Sequence, residues 1–91
     1  MLVVSPDGAR AYVTNFWPGT VSVLDLNTKR ILAQIATGSG TEGIGISPDG
    51  RYIYTSSVHS NEIVRIDTST LSGKPRRVDA SPCMPPIRAI Y

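Results

Sequence analysis

Ser5-Pro6-Asp7-Gly8 returns as Ser47-Pro48-Asp49-Gly50, 42 residues further along the chain. The register then holds without a gap: Tyr12 matches Tyr54, Thr14 matches Ser56, Val21 matches Ile63, Leu24 matches Ile66, Asp25 matches Asp67 and Thr28 matches Thr70. A chance tetrapeptide match does not keep its register through the rest of a copy, so the chain is built from a structural repeat. Within the tetrapeptide, Ser, Pro and Gly stand at positions i, i+1 and i+3 of a type I turn, each where that turn prefers it. The closing glycine can take the left-handed conformation of a three-residue hairpin loop.

Outward from these turns, the segments are short, β-branched or aromatic, and punctuated by turn residues, which predicts strands rather than helices. In the first copy the strands are expected at Leu2–Val4, Ala9–Asn15, Thr20–Asp25 and Arg30–Ala36. The second gives Gly43–Ser47, Arg51–Ser57, Glu62–Asp67 and Pro75–Asp79, and a third copy opens at Ile87–Tyr91. Asp25-Leu26-Asn27-Thr28 and Asp67-Thr68-Ser69-Thr70 follow their strands with short side chains that bond local backbone, as hairpin-end turns do. Val21-Ser22-Val23-Leu24 and Ile63-Val64-Arg65-Ile66 place apolar groups on both faces of the sheet, and such a sheet needs a neighbour on each side. Four-stranded antiparallel meanders at this period, covered on both faces, are the blades of an all-β propeller.

Tyr12-Val13-Thr14-Asn15, preceded by Ser-Pro-Asp-Gly and followed by Thr20-Val21-Ser22-Val23-Leu24-Asp25, resembles the YVTN-type β-propeller repeat. The second copy is a weaker match, with Tyr54-Thr55-Ser56-Ser57 in place of the tetrapeptide. The resemblance implies a seven-bladed ring, commonly bacterial or archaeal and periplasmic, secreted or surface-associated. On that pattern residues 1–42 are blade one, 43–86 blade two and 87–91 the first strand of a third.

Two blades and a strand leave two large apolar faces to be covered by missing blades or by self-association. Three origins are open: a truncated product, a piece of a longer protein, or a homo-oligomer closing a ring from several chains. Met1 stands where a strand-one residue matching Gly43 belongs, which favours truncation.

Hydrophobic residues make up 41% of the 91-residue chain and charged residues 18%, a globular mixture and not a disordered one. The net charge of +2 is scattered apart from Lys29-Arg30 and Lys74, Arg76 and Arg77, which excludes a nucleic-acid footprint. There is no apolar run of membrane-spanning length and no signal peptide at Met1–Gly8. The single cysteine, Cys83, forms no internal disulfide and no paired-cysteine metal knuckle.

In a propeller the loops between second and third strands share one face with the blade-to-blade connections. That face collects Phe16-Trp17-Pro18-Gly19, His59-Ser60-Asn61, Gly38-Ser39-Gly40-Thr41-Glu42 and Ser81-Pro82-Cys83-Met84-Pro85-Pro86. The repeat sets Trp17 opposite His59, the only tryptophan and the only histidine. An exposed aromatic is a binding anchor; the preferred alternative is that Phe16-Trp17-Pro18 folds onto its own blade as a loop mini-core. His59, Cys83, Glu42 and Met84 are weak candidates for a metal, and a solvent-exposed loop histidine is the simpler reading. Glu42 and Arg88 begin inner strands of consecutive blades and pair as a polar channel site or, more simply, as an inter-blade salt bridge. Asp7 and Asp49 are accounted for by their turns. Gly38-Ser39-Gly40 lacks the lysine and helix of a phosphate loop, and no Ser-His-Asp order is visible.

The expected function is a non-enzymatic propeller scaffold that binds a partner protein or surface ligand through its loop face, with no cofactor. The rivals are a lactonase-like enzyme and a redox-associated propeller, each with a channel site.

Overall fold

The computed structural model describes residues 1–77, and turn chemistry sets where its strands stop. The Gly8 amide donates to the Ser5 carbonyl at 2.9 Å, and the Gly50 amide to the Ser47 carbonyl at 2.8 Å. Gly8 and Gly50 stand at φ 73° and 74°, the left-handed region that glycine enters freely. Asp7 Oδ1 accepts from the Ser5 hydroxyl and the Ala9 amide, and Asp49 Oδ1 from the Ser47 hydroxyl and the Arg51 amide. The hairpin-end turns use the same device. Asp25 Oδ1 accepts from the Asn27 and Thr28 amides, and Asp67 Oδ1 from the Ser69 amide and hydroxyl.

Between these turns run β1 (Leu2–Val4), β2 (Arg10–Asn15), β3 (Thr20–Asp25) and β4 (Arg30–Ala36). The second copy supplies β5 (Thr41–Ile46), β6 (Tyr52–Ser57), β7 (Glu62–Asp67) and β8 (Ser72–Arg77). Each copy forms one antiparallel meander, β1-β2-β3-β4 and β5-β6-β7-β8, the build of a propeller blade. β8 begins three residues before the Pro75 start expected from the sequence. Leu71 at φ 57° and its amide bond to the Asp67 carbonyl, 2.7 Å, close the turn early enough for Ser72 to pair with Asp67. Pro75 is tolerated because β8 is the outer edge of its sheet, where a missing N–H leaves no partner unpaired. The strand expected at Ile87–Tyr91, with Arg88, Cys83 and the junction at residues 81–86, lies outside the described residues.

Pleating sends alternate residues to opposite faces. Registers Val3↔Tyr12↔Val23↔Ala33 and Thr14↔Val21↔Ile35 therefore line one face of the first blade. Ile46↔Ile53↔Ile66↔Gly73 and Ile44↔Thr55↔Val64 line the facing side of the second. These two faces meet: Tyr12, Val21, Val23 and Ile35 pack with Ile53, Val64 and Ile66 as one buried cluster.

Thr55 sits in that interface, 2% exposed, and its hydroxyl has no hydrogen-bond partner among the described residues. An orphaned buried hydroxyl opposes folding, whereas an isosteric methyl does not. Thr55→Val is therefore expected to raise the unfolding free energy by about 1 kcal/mol, read as a higher denaturant midpoint at unchanged slope; a lower midpoint would count against this placement.

The outward faces of the pair differ, contrary to the expectation of two apolar ones. On the first blade Leu2, Val4 and Ile31 are exposed by 59%, 44% and 60%, and they match Ile44, Ile46 and Gly73, which pack inward in the second copy. The outward face of the second blade carries Tyr52, Tyr54 and Arg65 instead, with the Arg65 guanidinium 4.8 Å from the Tyr52 ring centre. A cation over an aromatic ring suits a surface in contact with water or a polar neighbour.

The turn carboxylates make the fold acid-sensitive. The Ser5 hydroxyl and then the Ala9 amide hold Asp7 below the ordinary value of 3.8, and the Ser47 hydroxyl and then the Arg51 amide do the same for Asp49. The Thr28 and Asn27 amides depress Asp25, and the Ser69 hydroxyl and amide depress Asp67. A carboxyl with a lower value folded than unfolded stabilises fully above its unfolded value, and that contribution fades as pH falls through the folded one. Stability is expected to be flat near neutrality and to decline below about pH 4. The check is a set of denaturant midpoints against pH, on which D7N with D49N flattens the acid limb.

Candidate functional site

The loop face is assembled by backbone bonds between three connections. The β4–β5 connection lies between the β2–β3 loop of its own blade and the β6–β7 loop of the next. The Gly40 amide donates to the Phe16 carbonyl at 3.2 Å, the Val58 amide to the Gly40 carbonyl at 3.1 Å and the His59 amide to the Ser39 carbonyl at 3.2 Å. Beneath them a buried hydroxyl cluster fixes the linker. The Thr37 and Thr41 hydroxyls lie 2.7 Å apart, the Thr41 hydroxyl donates to the Gly38 carbonyl at 2.7 Å, and the Ser57 hydroxyl donates to the Thr37 carbonyl. All three residues are at most 2% exposed, so these bonds form in a low-dielectric setting where they hold geometry tightly.

This scaffold brings three of the candidate residues together. The Phe16 ring stands edge-on to Trp17 at 5.2 Å and to His59 at 5.4 Å, and Trp17 and His59 are 6.4 Å apart. Edge-to-face pairs at these separations favour association by about 1 kcal/mol each. The loop mini-core expected within one blade is thus corrected: Phe16 is half-buried, but against His59 of the neighbouring blade as well as Trp17. The reason is the linker, which zips both loops to itself and draws their tips together. Trp17 stays 82% exposed. His59 is exposed as well, its Nδ1 3.4 Å from the Ser39 hydroxyl.

Glu42 is exposed on β5, where its backbone carbonyl accepts from the Thr14 hydroxyl at 3.3 Å. Its proposed partner Arg88 falls outside the described residues, as does Cys83. No group of three His, Cys, Asp or Glu residues able to hold a metal ion occurs among the described residues. Among the described residues no helix is long and apolar enough to cross a membrane. Sequence reading set Ser39 and Thr41 on the loop face as parts of the blade junction but gave their hydroxyls, and those of Thr37 and Ser57, no role, because spacing gives no signal for groups that meet only when the junction is folded.

The family model described as "Cytochrome D1 heme domain" matches residues 1–82. Among solved structures, the hydrazine synthase of Kuenenia stuttgartiensis aligns with 84% of the chain at 22% identity and a TM-score of 0.79. The dihydro-heme d1 dehydrogenase NirN, solved in complex with DHE, aligns with 90% of it at 26% identity and a TM-score of 0.78. The chain spans only 22% and 18% of the length of those two chains. No curated protein matches it. These likenesses support the propeller, while the YVTN-type resemblance rests on the quoted residues alone.

Proposed function

This chain belongs to the cytochrome D1 heme domain family, and on that premise we propose that its two blades serve as a non-enzymatic binding scaffold within a redox-associated propeller. Among the described residues the donor set does not fit a haem iron. His59, the only histidine, sits at a loop tip with its ring against Phe16 and its Nδ1 near the Ser39 hydroxyl. β1 and β5, the first strands of the two blades, carry neither histidine nor cysteine. The part assigned to these blades is mechanical. They form a wall whose Leu2, Val4 and Ile31 face is covered by a neighbouring blade, and they present Trp17 to a partner protein.

The observation that carries this reading is Trp17 itself: a large side chain left 82% exposed yet braced by Phe16 and His59 from two blades. A braced aromatic loses little conformational freedom on docking, which is what makes such residues interface anchors.

Replacement of Trp17 by a photoreactive phenylalanine analogue tests it, with the same analogue at exposed Asn27 as control. A discrete adduct at position 17, competed by unlabelled protein and absent at position 27, is the expected result. Equal labelling at both positions would sink the reading.

A further inference from the structure

At the end of the blade junction opposite Trp17 the two Ser-Pro-Asp-Gly turns flank a cleft of about 440 Å³. Its lining carries three charged residues, Asp7, Arg10 and Asp49, together with Tyr12, Gly50 and Thr68. The cleft is pre-formed. The Thr68 hydroxyl donates to the Gly50 carbonyl at 2.8 Å, tying the β7–β8 turn to the second tetrapeptide, and Arg10 Nη1 donates to the Thr68 carbonyl at 3.0 Å, bridging the blades.

Three features leave this cleft chemically unfinished. Each Asp uses Oδ1 for its own turn, while Oδ2 has no hydrogen bond among the described residues. The remaining guanidinium N–H groups of Arg10 meet no acceptor among those residues. Tyr12 is 1% exposed as a residue and lines the cleft, and its hydroxyl, the part of it that is not buried, has no partner among them. The nearby charges are engaged elsewhere: Asp25 in its own turn and Arg51 over the Tyr52 ring.

We infer that the cleft binds a small zwitterion bearing two ammonium groups and one carboxylate, the chemistry of a basic amino acid. The carboxylate pairs with the Arg10 guanidinium, whose flat fork matches it. The ammonium groups take the free oxygens of Asp7 and Asp49, and the Tyr12 hydroxyl bonds to whichever polar end reaches the floor. Charge count selects this class over simpler ones. Two carboxylates and one guanidinium leave a lone anion repelled twice, and a lone diamine leaves the remaining Arg10 N–H groups without an anionic acceptor. The site is separate from the Trp17 face and stands or falls independently of the scaffold reading.

The test uses L-lysine as probe with the purified protein, followed through the Gly50 and Arg10 amide resonances. Cadaverine, acetate and L-glutamate serve as comparison probes. Saturable shifts with L-lysine are expected, with cadaverine at least about tenfold weaker, since one charge-assisted pair is lost, and the two anions weaker still. D49N keeps the oxygen that closes its turn and is expected to weaken L-lysine about tenfold. Y12F retains the packed ring, so its unchanged melting temperature separates folding from binding, and it is expected to weaken L-lysine about threefold. Cadaverine binding as tightly as L-lysine, indifference to D49N and Y12F, or no saturation at concentrations on the order of 10 mM would each overturn the assignment.

Discussion

Ile66→Ala is expected to lower the unfolding free energy by about 3 kcal/mol, within the usual range for emptying a fully buried isoleucine site. Ile66 is 0% exposed and lies among Ile53, Val64, Val23 and Tyr12, in a layer made by both blades. The removed atoms lose their transfer free energy, and the cavity does not collapse because two stiff sheets hold its walls. Ile31, also a strand isoleucine, is 60% exposed on the outward face of the first blade, so Ile31→Ala is expected to shift stability by no more than about 0.5 kcal/mol. Urea melts of the two variants make the comparison. Near-equal losses would show that the Ile31 face is covered in solution; a small loss at Ile66 would refute the shared core.

Gly19→Ala is the second large effect, with an expected loss of about 3 kcal/mol from left-handed strain and a backbone clash together. Gly19 stands at φ +69°, and an added Cβ would lie 2.5 Å from the Gly38 carbonyl oxygen and 2.7 Å from its carbon. Backbone atoms do not rotate aside as side chains do, so the linker itself must shift. The Thr37 amide bond to the Gly19 carbonyl, 2.8 Å, then stretches, and the linker no longer holds Phe16 beside His59. Gly8 separates the two causes. It has φ +73° but open space around an added Cβ, so Gly8→Ala is expected to cost only about 1 kcal/mol. Thermal melts give the stabilities, and the fluorescence of Trp17, the only tryptophan, reports the loop face. Equal losses at Gly8 and Gly19, with no spectral change at Gly19→Ala, would rule out the clash.

The Gly19 position also marks where sequence reading stopped. Its turn was legible, because Pro18-Gly19 between two β-branched runs is a local signal. Its contact with Gly38 was not, since nothing in a one-dimensional register says which loop a linker lies against. The aromatic cluster divides the same way. The repeat set Trp17 opposite His59, but the linker threaded between their loops determined that Phe16 touches both.

β8 shows a smaller failure with a clear cause. The strand was expected to begin only at Pro75, yet Ser72–Arg77 pairs with all of β7 because an edge strand needs backbone bonds on one side only. Tyr12 is the converse. It read simply as part of the repeat, and packing set it in the wall of a cleft with Arg10, Thr68 and residues of both aspartate turns.

By itself the sequence determined the strands, the turns and the blade. Each of these depends on residues near one another in the chain: short side chains that bond their own backbone, glycines at left-handed positions and β-branched runs between them. Only the tertiary structure decided which faces of the blades meet, that Trp17 is braced and exposed rather than folded away, and that Asp7, Arg10, Tyr12 and Asp49 share a cleft. The 42-residue repeat gives the two blades matching local structure, but the chemistry of their junction depends on which unlike residues of the two copies packing brings face to face.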